Sequence, residues 1–140
     1  MILGGTLVVA VAAAAQGRLD PGFGNGGVVV TATAPAAGAD FQNGLAIQRD
    51  GRILVGGSSD MGAAGGHQWR ISRYTHTGEL DSSFGTGGTV TTSMSSADGI
   101  DEHVWTLTLD REGKIVAAGD AVTTTGGFDV ALARFNPDEA

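Results

Sequence analysis

The chain lacks cysteine altogether and has a single lysine among its 140 residues. Without cysteine there can be no disulfide, no thiolate metal site and no cysteine nucleophile. The seven arginines are scattered along the chain, and the net charge is −7 at pH 7. A nucleic-acid interface needs a clustered basic patch. We therefore exclude nucleic acid as a partner.

Helical patterning is also missing. No stretch beyond the first 15 residues places apolar residues at three- and four-residue spacing. Glycine occurs 24 times, and each glycine in a helix interior costs about 1 kcal/mol relative to alanine. The sequence therefore predicts an all-β protein.

What the chain does contain is an internal repeat. The segment GRLDPGFGNGGV at 17–28 returns 61 residues later as GELDSSFGTGGT at 78–89. The similarity continues along both copies, with one-residue insertions and deletions only at loop-like places. Such repetition indicates a duplicated unit whose apolar face is covered by its neighbour. We predict one repeat over 17–77 and a second over 78–140.

Each copy is predicted to contain four short strands. In the first copy they are residues 28–34, 41–47, 53–57 and 69–74, and the segment from Phe41 alternates with the period of a half-buried strand. In the second copy the same alternation places Trp105, Leu107 and Leu109 on one face. Polar turns with Asp-Gly or Glu-Gly, at 49–52 and 111–114, are typical of hairpins. The predicted fold is two four-stranded antiparallel blades of a β-propeller-like repeat array.

The repeated pattern resembles a known family. Leu-Asp-x-x-Phe-Gly-x-Gly-Gly, then Asp/Glu-Gly-Arg/Lys-Ile, then Arg-Tyr/Phe before the next copy, is similar to the delta-60 repeat of bacterial proteins, over residues 17–138. The resemblance implies a propeller-like tandem array in a secreted or surface protein, and it implies no active site. The second copy departs from the pattern at its end, where Glu139 replaces the usual glycine.

The first 16 residues allow two interpretations. Met1 to Ala15 is apolar and ends in a run of alanines that includes Ala13 to Ala15, like a short secretory signal, but it lacks a positively charged start. Alternatively, Leu7 to Gln16 lies one period before Gln68 to Thr77, and Leu7 to Val11 would then be a remnant strand of a preceding blade. A membrane-spanning helix is not expected, because it needs about 20 apolar residues.

The glycine-rich stretch offers a candidate ligand loop. Gly22 to Gly27 matches G-x-G-x-x-G, but a dinucleotide site needs a strand before the motif and a helix after it. A strand is predicted to follow instead, so we interpret the motif as a turn. Asp20 and Asp81 are predicted to fix the two turns by accepting hydrogen bonds from their own backbone, with Phe23 and Phe84 filling space between blades.

Other candidate residues also favour structural roles. Asp98, Asp101 and Glu102, with Asp40 in the other copy, lack the ligand number of a calcium loop and predict a solvated loop. Trp69 and Trp105 are predicted core residues. The three histidines show no metal-site spacing, Ser58-Ser59 forms no nucleophile elbow, and Arg73 and Arg134 are expected to pair with nearby carboxylates. The histidines are His67, His76 and His103.

We predict no catalytic, cofactor-binding or metal-binding residues and no cofactor. The predicted function is a non-catalytic propeller-like module with a structural or protein-interaction role in a secreted or envelope protein. Two blades leave strand edges uncovered, and such edges pair readily with another chain. The expected partners are other blades or copies of itself. A lectin-like protomer that closes a ring by oligomerising, with Trp69 or Trp105 lining glycan pockets, is the alternative.

Overall fold

The computed structural model of the protein describes residues 17–32, 40–62, 66–95, 100–123 and 126–137. These residues form seven strands and no helix, and so include no helix able to cross a membrane. The strands are β1 (Phe41–Ile47), β2 (Ile53–Asp60), β3 (His67–Tyr74), β4 (Thr89–Thr92), β5 (Val104–Leu109), β6 (Ile115–Val122) and β7 (Phe128–Phe135). The predicted all-β class is confirmed.

The strands form two antiparallel sheets whose neighbours follow chain order. Blade 1 contains β1-β2-β3-β4, and blade 2 contains β5-β6-β7. The predicted polar turns join β1 to β2 and β5 to β6, and their glycines, Gly51 and Gly113, have φ of 85° and 84°. Within the described residues blade 2 has three strands, where four were predicted.

The sequence repeat and the sheets are out of phase by one strand. The strand after the second glycine-rich stretch, β4, pairs with β3 of the first copy, with Ile71 opposite Val90 and Trp69 opposite Thr92. It is therefore the last strand of blade 1, not the first strand of blade 2. The corresponding residues of the first copy, 28–31, precede β1, and Val28 makes only isolated bridges to Gly24 and Asn25. Of the predicted strand at 28–34, residues 33–34 lie outside the described residues.

A bulge changes the predicted alternation in the first strand of each blade. The register shifts between Gln42 and Gly44 in β1 and between Val104 and Thr106 in β5. A bulge adds one residue to its strand and turns the following side chains over. Val104 and Leu107 are consequently both buried, whereas Trp105 is exposed. The predicted apolar face was therefore wrong for Trp105, whereas Leu107 is buried and Leu109 packs against the core, as predicted.

The core lies between the two blades. Its buried members come from both sheets and from the loop before β4; they are Leu54, Trp69, Ile71, Phe84, Val104, Leu107, Ile115 and Ala117. Leu107 occupies space that two glycines of blade 1 leave open. A Cβ at Gly44 would lie 2.7 Å from the backbone nitrogen of Leu107, and one at Gly56 would lie 2.7 Å from its Cγ.

Candidate functional site

The glycine-rich stretches are turns, as predicted. Asp20 Oδ1 accepts a hydrogen bond from the Gly22 amide at 2.9 Å, and Asp81 Oδ1 accepts one from the Ser83 amide at 3.1 Å. Gly24, Gly26 and Gly27 all have positive φ, a conformation that glycine adopts without steric cost. No helix follows within the described residues. The motif therefore lies in a turn, and within the described residues it lacks the following helix that a dinucleotide site needs.

The second turn is fastened to blade 1 by a buried arginine. Arg73 Nε donates to Asp81 Oδ2 at 2.9 Å, and its Nη2 donates to Ser83 Oγ at 3.0 Å. The guanidinium carbon lies 4.7 Å from the centre of the Phe84 ring, close enough for a cation–π contact. Nη1 reaches the carbonyl of Pro137 near the end of blade 2. The predicted pairing of Arg73 with a carboxylate is confirmed.

The hydroxyl of Ser83 is the largest influence on the pKa of Asp81. The hydrogen bond from this hydroxyl lowers the pKa of Asp81 below the ordinary value of 3.8. The hydrogen bond from the Ser83 amide and the charges of Arg73 and Arg52 act in the same direction, whereas burial opposes them. Each of these contacts favours the ionised carboxylate. Asp81 is therefore a charged structural anchor.

The acidic group beside β5 is solvated only in part, because Asp101 is exposed whereas Glu102 is buried. Glu102 is buried, and its carboxylate accepts hydrogen bonds from the Met94 amide at 2.7 Å, the Ser95 amide at 2.5 Å and the Ser93 hydroxyl at 3.0 Å. These hydrogen bonds hold the chain segment after β4 in place. The prediction that Glu102 lies in a solvated loop was therefore wrong. Asp98 lies outside the described residues. No group of three or more potential metal ligands occurs in the described part of the chain.

The two tryptophans have different environments. Trp69 is 0% exposed, and its indole Nε1 donates to the backbone carbonyl of Asp120 at 2.9 Å. Trp105 is 56% exposed, and its Nε1 donates to Asp120 Oδ2 at 2.8 Å. The core prediction is confirmed for Trp69 and wrong for Trp105, which the bulge in β5 turns outward.

Four rings form a cluster where the two blades meet. This aromatic–histidine cluster consists of Phe41, His67, His103 and Trp105. The imidazoles of His67 and His103 stack with centroids 6.1 Å apart, Phe41 lies 5.7 Å from His67, and Trp105 lies 5.5 Å from His103. Phe41 is half-exposed, like Trp105. The cluster thus presents apolar ring surface to solvent beside two titratable groups.

A carboxylate orients each imidazole of the cluster. Asp101 Oδ1 lies 2.7 Å from His67 Nδ1 and accepts the His67 amide at 3.0 Å. Asp120 Oδ1 lies 3.3 Å from His103 Nδ1 and accepts the His103 amide at 2.8 Å. The hydrogen bond from the His67 side chain is the main cause that lowers the pKa of Asp101. The arrangement combines ring faces with fixed polar groups, a combination used in ligand recognition.

Little in the sequence indicates this cluster. His67 begins β3, whereas His103 immediately precedes β5, and they do not align in the two copies. The prediction that the histidines form no metal-ligand spacing said nothing about their contact. The feature that could have predicted their contact is their position, because both histidines lie at the start of a strand and these starts are at the same end of neighbouring blades.

A second distinctive surface is the outward side of blade 2. Phe128, Val130, Leu132 and Arg134 alternate along β7, and Val130 and Leu132 are 87% and 71% exposed. Their counterparts in blade 1 include Trp69, Ile71 and Arg73, all buried. β7 also pairs on one side alone within the described residues, with β6. This outward β7 surface is therefore an apolar face beside an open strand edge.

The opposite end of the molecule carries a cleft of about 510 Å³. The segment 23–31 forms one wall through Phe23 and Val29, and the outward side of blade 1 forms the other through Leu45, Val55 and Tyr74. Phe23 also packs close to Gly78. The prediction that Phe84 fills interblade space is confirmed by its place in the shared core, whereas Phe23 lines this open cleft.

Comparison with known proteins agrees with the propeller-like architecture. A family model described as a domain of unknown function (DUF5122) beta-propeller matches residues 48–84 and 113–138, somewhat less than half of the chain. Each matched stretch begins in the polar turn of one blade and continues through the next two strands. No curated protein matches the chain. The chain is therefore similar to a propeller-like repeat family whose description assigns no activity.

Proposed function

We infer that this chain is a non-catalytic propeller-like module with a protein-interaction role in a secreted or envelope protein. The observation that carries the proposal is the outward β7 surface. Large exposed apolar patches on soluble proteins mark interaction sites, and an open strand edge accepts a further strand. The envelope location rests on the family resemblance and is tested by cell fractionation.

Several polar groups that a catalytic set could use have structural roles among the described residues, which supports the proposal. Arg73, Asp81 and Glu102 are engaged in holding loops to sheets. Ser58 and Ser59 are both buried, so neither hydroxyl faces solvent. A catalytic site needs a nucleophile or base that converges with its partners on an accessible position. These residues instead support a scaffold.

A photo-cross-linker tests the protein-interaction role directly. Placed at Val130 in the protein in its host cells, benzoylphenylalanine should form an adduct with a polypeptide that mass spectrometry then identifies. The same group at Glu112, whose side chain is exposed in the turn between β5 and β6, is the matched control. Equal or absent adduct formation at both positions would contradict the proposal.

Trp105 favours a second candidate, a carbohydrate-binding function. Its ring is exposed and lies beside His103, which also contacts Phe41. The carboxylate of Asp120 bonds to Trp105, and that of Asp101 bonds to His67 in the same cluster. Apolar ring faces with adjacent hydrogen-bond acceptors suit a sugar, which has both C–H and hydroxyl surface. Trp69 has no part in it, because it is buried.

A glycan array distinguishes this candidate. Binding should be lost in Trp105→Ala with the circular dichroism spectrum unchanged, and retained in Leu45→Ala, which alters an exposed apolar residue outside the cluster. Binding by none of a broad set of glycans would remove the carbohydrate candidate.

A further inference from the structure

We propose that the outward β7 surface binds a second copy of this chain, through residues 17–31 of that copy. The proposal rests on the protein-interaction function above and names the partner. Its basis is the repeat itself. Residues 78–92 fasten to β3 within one chain, and residues 17–31 hold the same sequence positions one period earlier.

The contacts of β3 supply the template for the docked pair. Antiparallel pairing places Ile71 opposite Val90 and Arg70 opposite Thr91. Leu132 and Ala131 lie one repeat after Ile71 and Arg70, and Val29 and Val30 lie one repeat before Val90 and Thr91. The docked pair therefore places Leu132 opposite Val29 and Ala131 opposite Val30. Leu132 is 71% exposed and Val30 is 91% exposed, whereas Val29 and Ala131 are half-buried, so each strand has one solvent-exposed residue in this register. Docking would complete blade 2 with a fourth strand.

The backbone bonds around the buried arginine repeat in the same way. The Arg73 amide donates to the Gly88 carbonyl at 2.9 Å, and the Asp81 amide donates to the Arg73 carbonyl at 2.8 Å. In the docked pair, the Arg134 amide would donate to the Gly27 carbonyl of the second copy. The Asp20 amide of the second copy would donate to the Arg134 carbonyl. These bonds fix the register in which residues 17–31 meet β7.

Charge is complementary at the same place. Asp81 is bound by Arg73 and by Arg52, whose Nε lies 3.0 Å from Asp81 Oδ2. Their counterparts are Asp20, exposed on residues 17–31, and Arg134 and Lys114 on blade 2. Phe23 would lie under Arg134 as Phe84 lies under Arg73. Asp20 of the second copy would therefore lie beside Arg134 and Lys114, as Asp81 lies beside Arg73 and Arg52.

The apolar faces also match in size and position. Within the chain, β5 packs on β1 and β2, and Leu107 meets the side of blade 1 that carries Trp69 and Ile71. The counterpart of Leu107 is Leu45, which is exposed and lines the cleft. In the docked pair, Leu45 and the cleft of the second copy would face Val130 and Leu132. Such a head-to-tail contact uses two different surfaces of each copy.

Charge reversal on both sides tests this pairing in the purified full chain. Wild type should show a mass above 14.0 kDa that rises with concentration in sedimentation and light scattering. Asp20→Arg and Arg134→Asp should each weaken association about tenfold or more, because like charges then meet at the interface. An equimolar mixture of the two variants should recover association, as should the double variant.

Two further variants keep the test decisive. Glu112→Arg reverses a charge in the turn before β6 and frees Lys114, whose Nζ lies 3.2 Å from the Glu112 carboxylate, so this variant should not weaken association. Leu132→Asp replaces an exposed side chain whose counterpart, Ile71, is buried. It should weaken association, and it keeps the test possible should one of the charge reversals lose its circular dichroism spectrum.

The outcomes separate the two proposals. A wild-type mass of 14.0 kDa at every concentration, or association that neither single reversal weakens, overturns the second copy as partner. If the Val130 cross-linker then captures a different polypeptide, the protein-interaction function stands. If it captures none, both proposals fail.

Discussion

Arg73 and Arg134 hold the same position in the two repeats, yet the side chain of Arg73 is 2% exposed and that of Arg134 is 62% exposed. The difference arises because the Asp81 turn and β4 cover Arg73. Among the described residues, the carboxylate near Arg134 is that of Asp110, at 3.8 Å. The two residues thus provide a matched pair for measuring what the turn contributes.

We expect Arg73→Ala to lower the free energy of unfolding by about 3–5 kcal/mol, since it removes one partner of a buried, hydrogen-bonded pair. Arg134→Ala should cost less than about 1 kcal/mol, as for other exposed ion pairs. Urea denaturation of both variants measures the difference. Similar losses in the two variants would contradict the structural role assigned to Arg73.

Acid should remove the contribution of Asp81. Its pKa is lowered in the folded protein, so its stabilisation is complete above the ordinary value of 3.8 and is lost as pH falls through the lower folded value. The stability difference between wild type and Asp81→Asn should therefore be largest near pH 7 and shrink below pH 3.8. Ser83→Ala, which removes the main cause of the shift, should give an intermediate profile. Urea titrations across this range test it, and a pH-independent difference would contradict it.

The two tryptophans should respond differently to truncation. Trp69→Ala empties a fully buried site and is expected to cost about 3–5 kcal/mol. Trp105→Ala removes an exposed ring and one hydrogen bond, and should cost about 1 kcal/mol. Thermal and urea unfolding provide the comparison. A cost at Trp105 equal to that at Trp69 would show that the bulge in β5 does not turn it outward.

Close stacking of the blades makes Gly44 sensitive to size. Gly44→Ala would bring a methyl group 2.7 Å from the backbone nitrogen of Leu107, and such overpacking typically costs about 1–3 kcal/mol. Gly17→Ala is the control, since nothing lies within 4 Å of its added methyl group. Chemical denaturation compares them, and equal stability of the two variants would count against direct blade contact at this site.

Local rules predicted the all-β fold, the hairpin turns and the Asp81 turn, because each depends on residues close together in the chain. Asp-Gly and Glu-Gly set the hairpins, and an aspartate bonded to the amide two residues later sets the turn. The pairing of β4 with β3 was missed because strand order is decided by contacts across the repeat boundary.

Bulges explain the largest errors in side-chain assignment. One added residue in β5 turned Trp105 to solvent while Leu107 stayed buried, and no residue type in the segment announces it. The aromatic–histidine cluster was missed for a related reason. His67 and His103 come from different blades, so their contact follows from the stacking of sheets and not from any spacing in the sequence.

The one-strand offset between repeat and sheet has a consequence for how such genes change length. The junction between the two blades joins β3 of one copy to β4 of the next, so recombination between two equivalent codons would add or remove one whole repeat. The interior sheets then keep their full complement of strands, and only the two ends stay incomplete. A chain organised in this way can be lengthened without any new contact having to evolve.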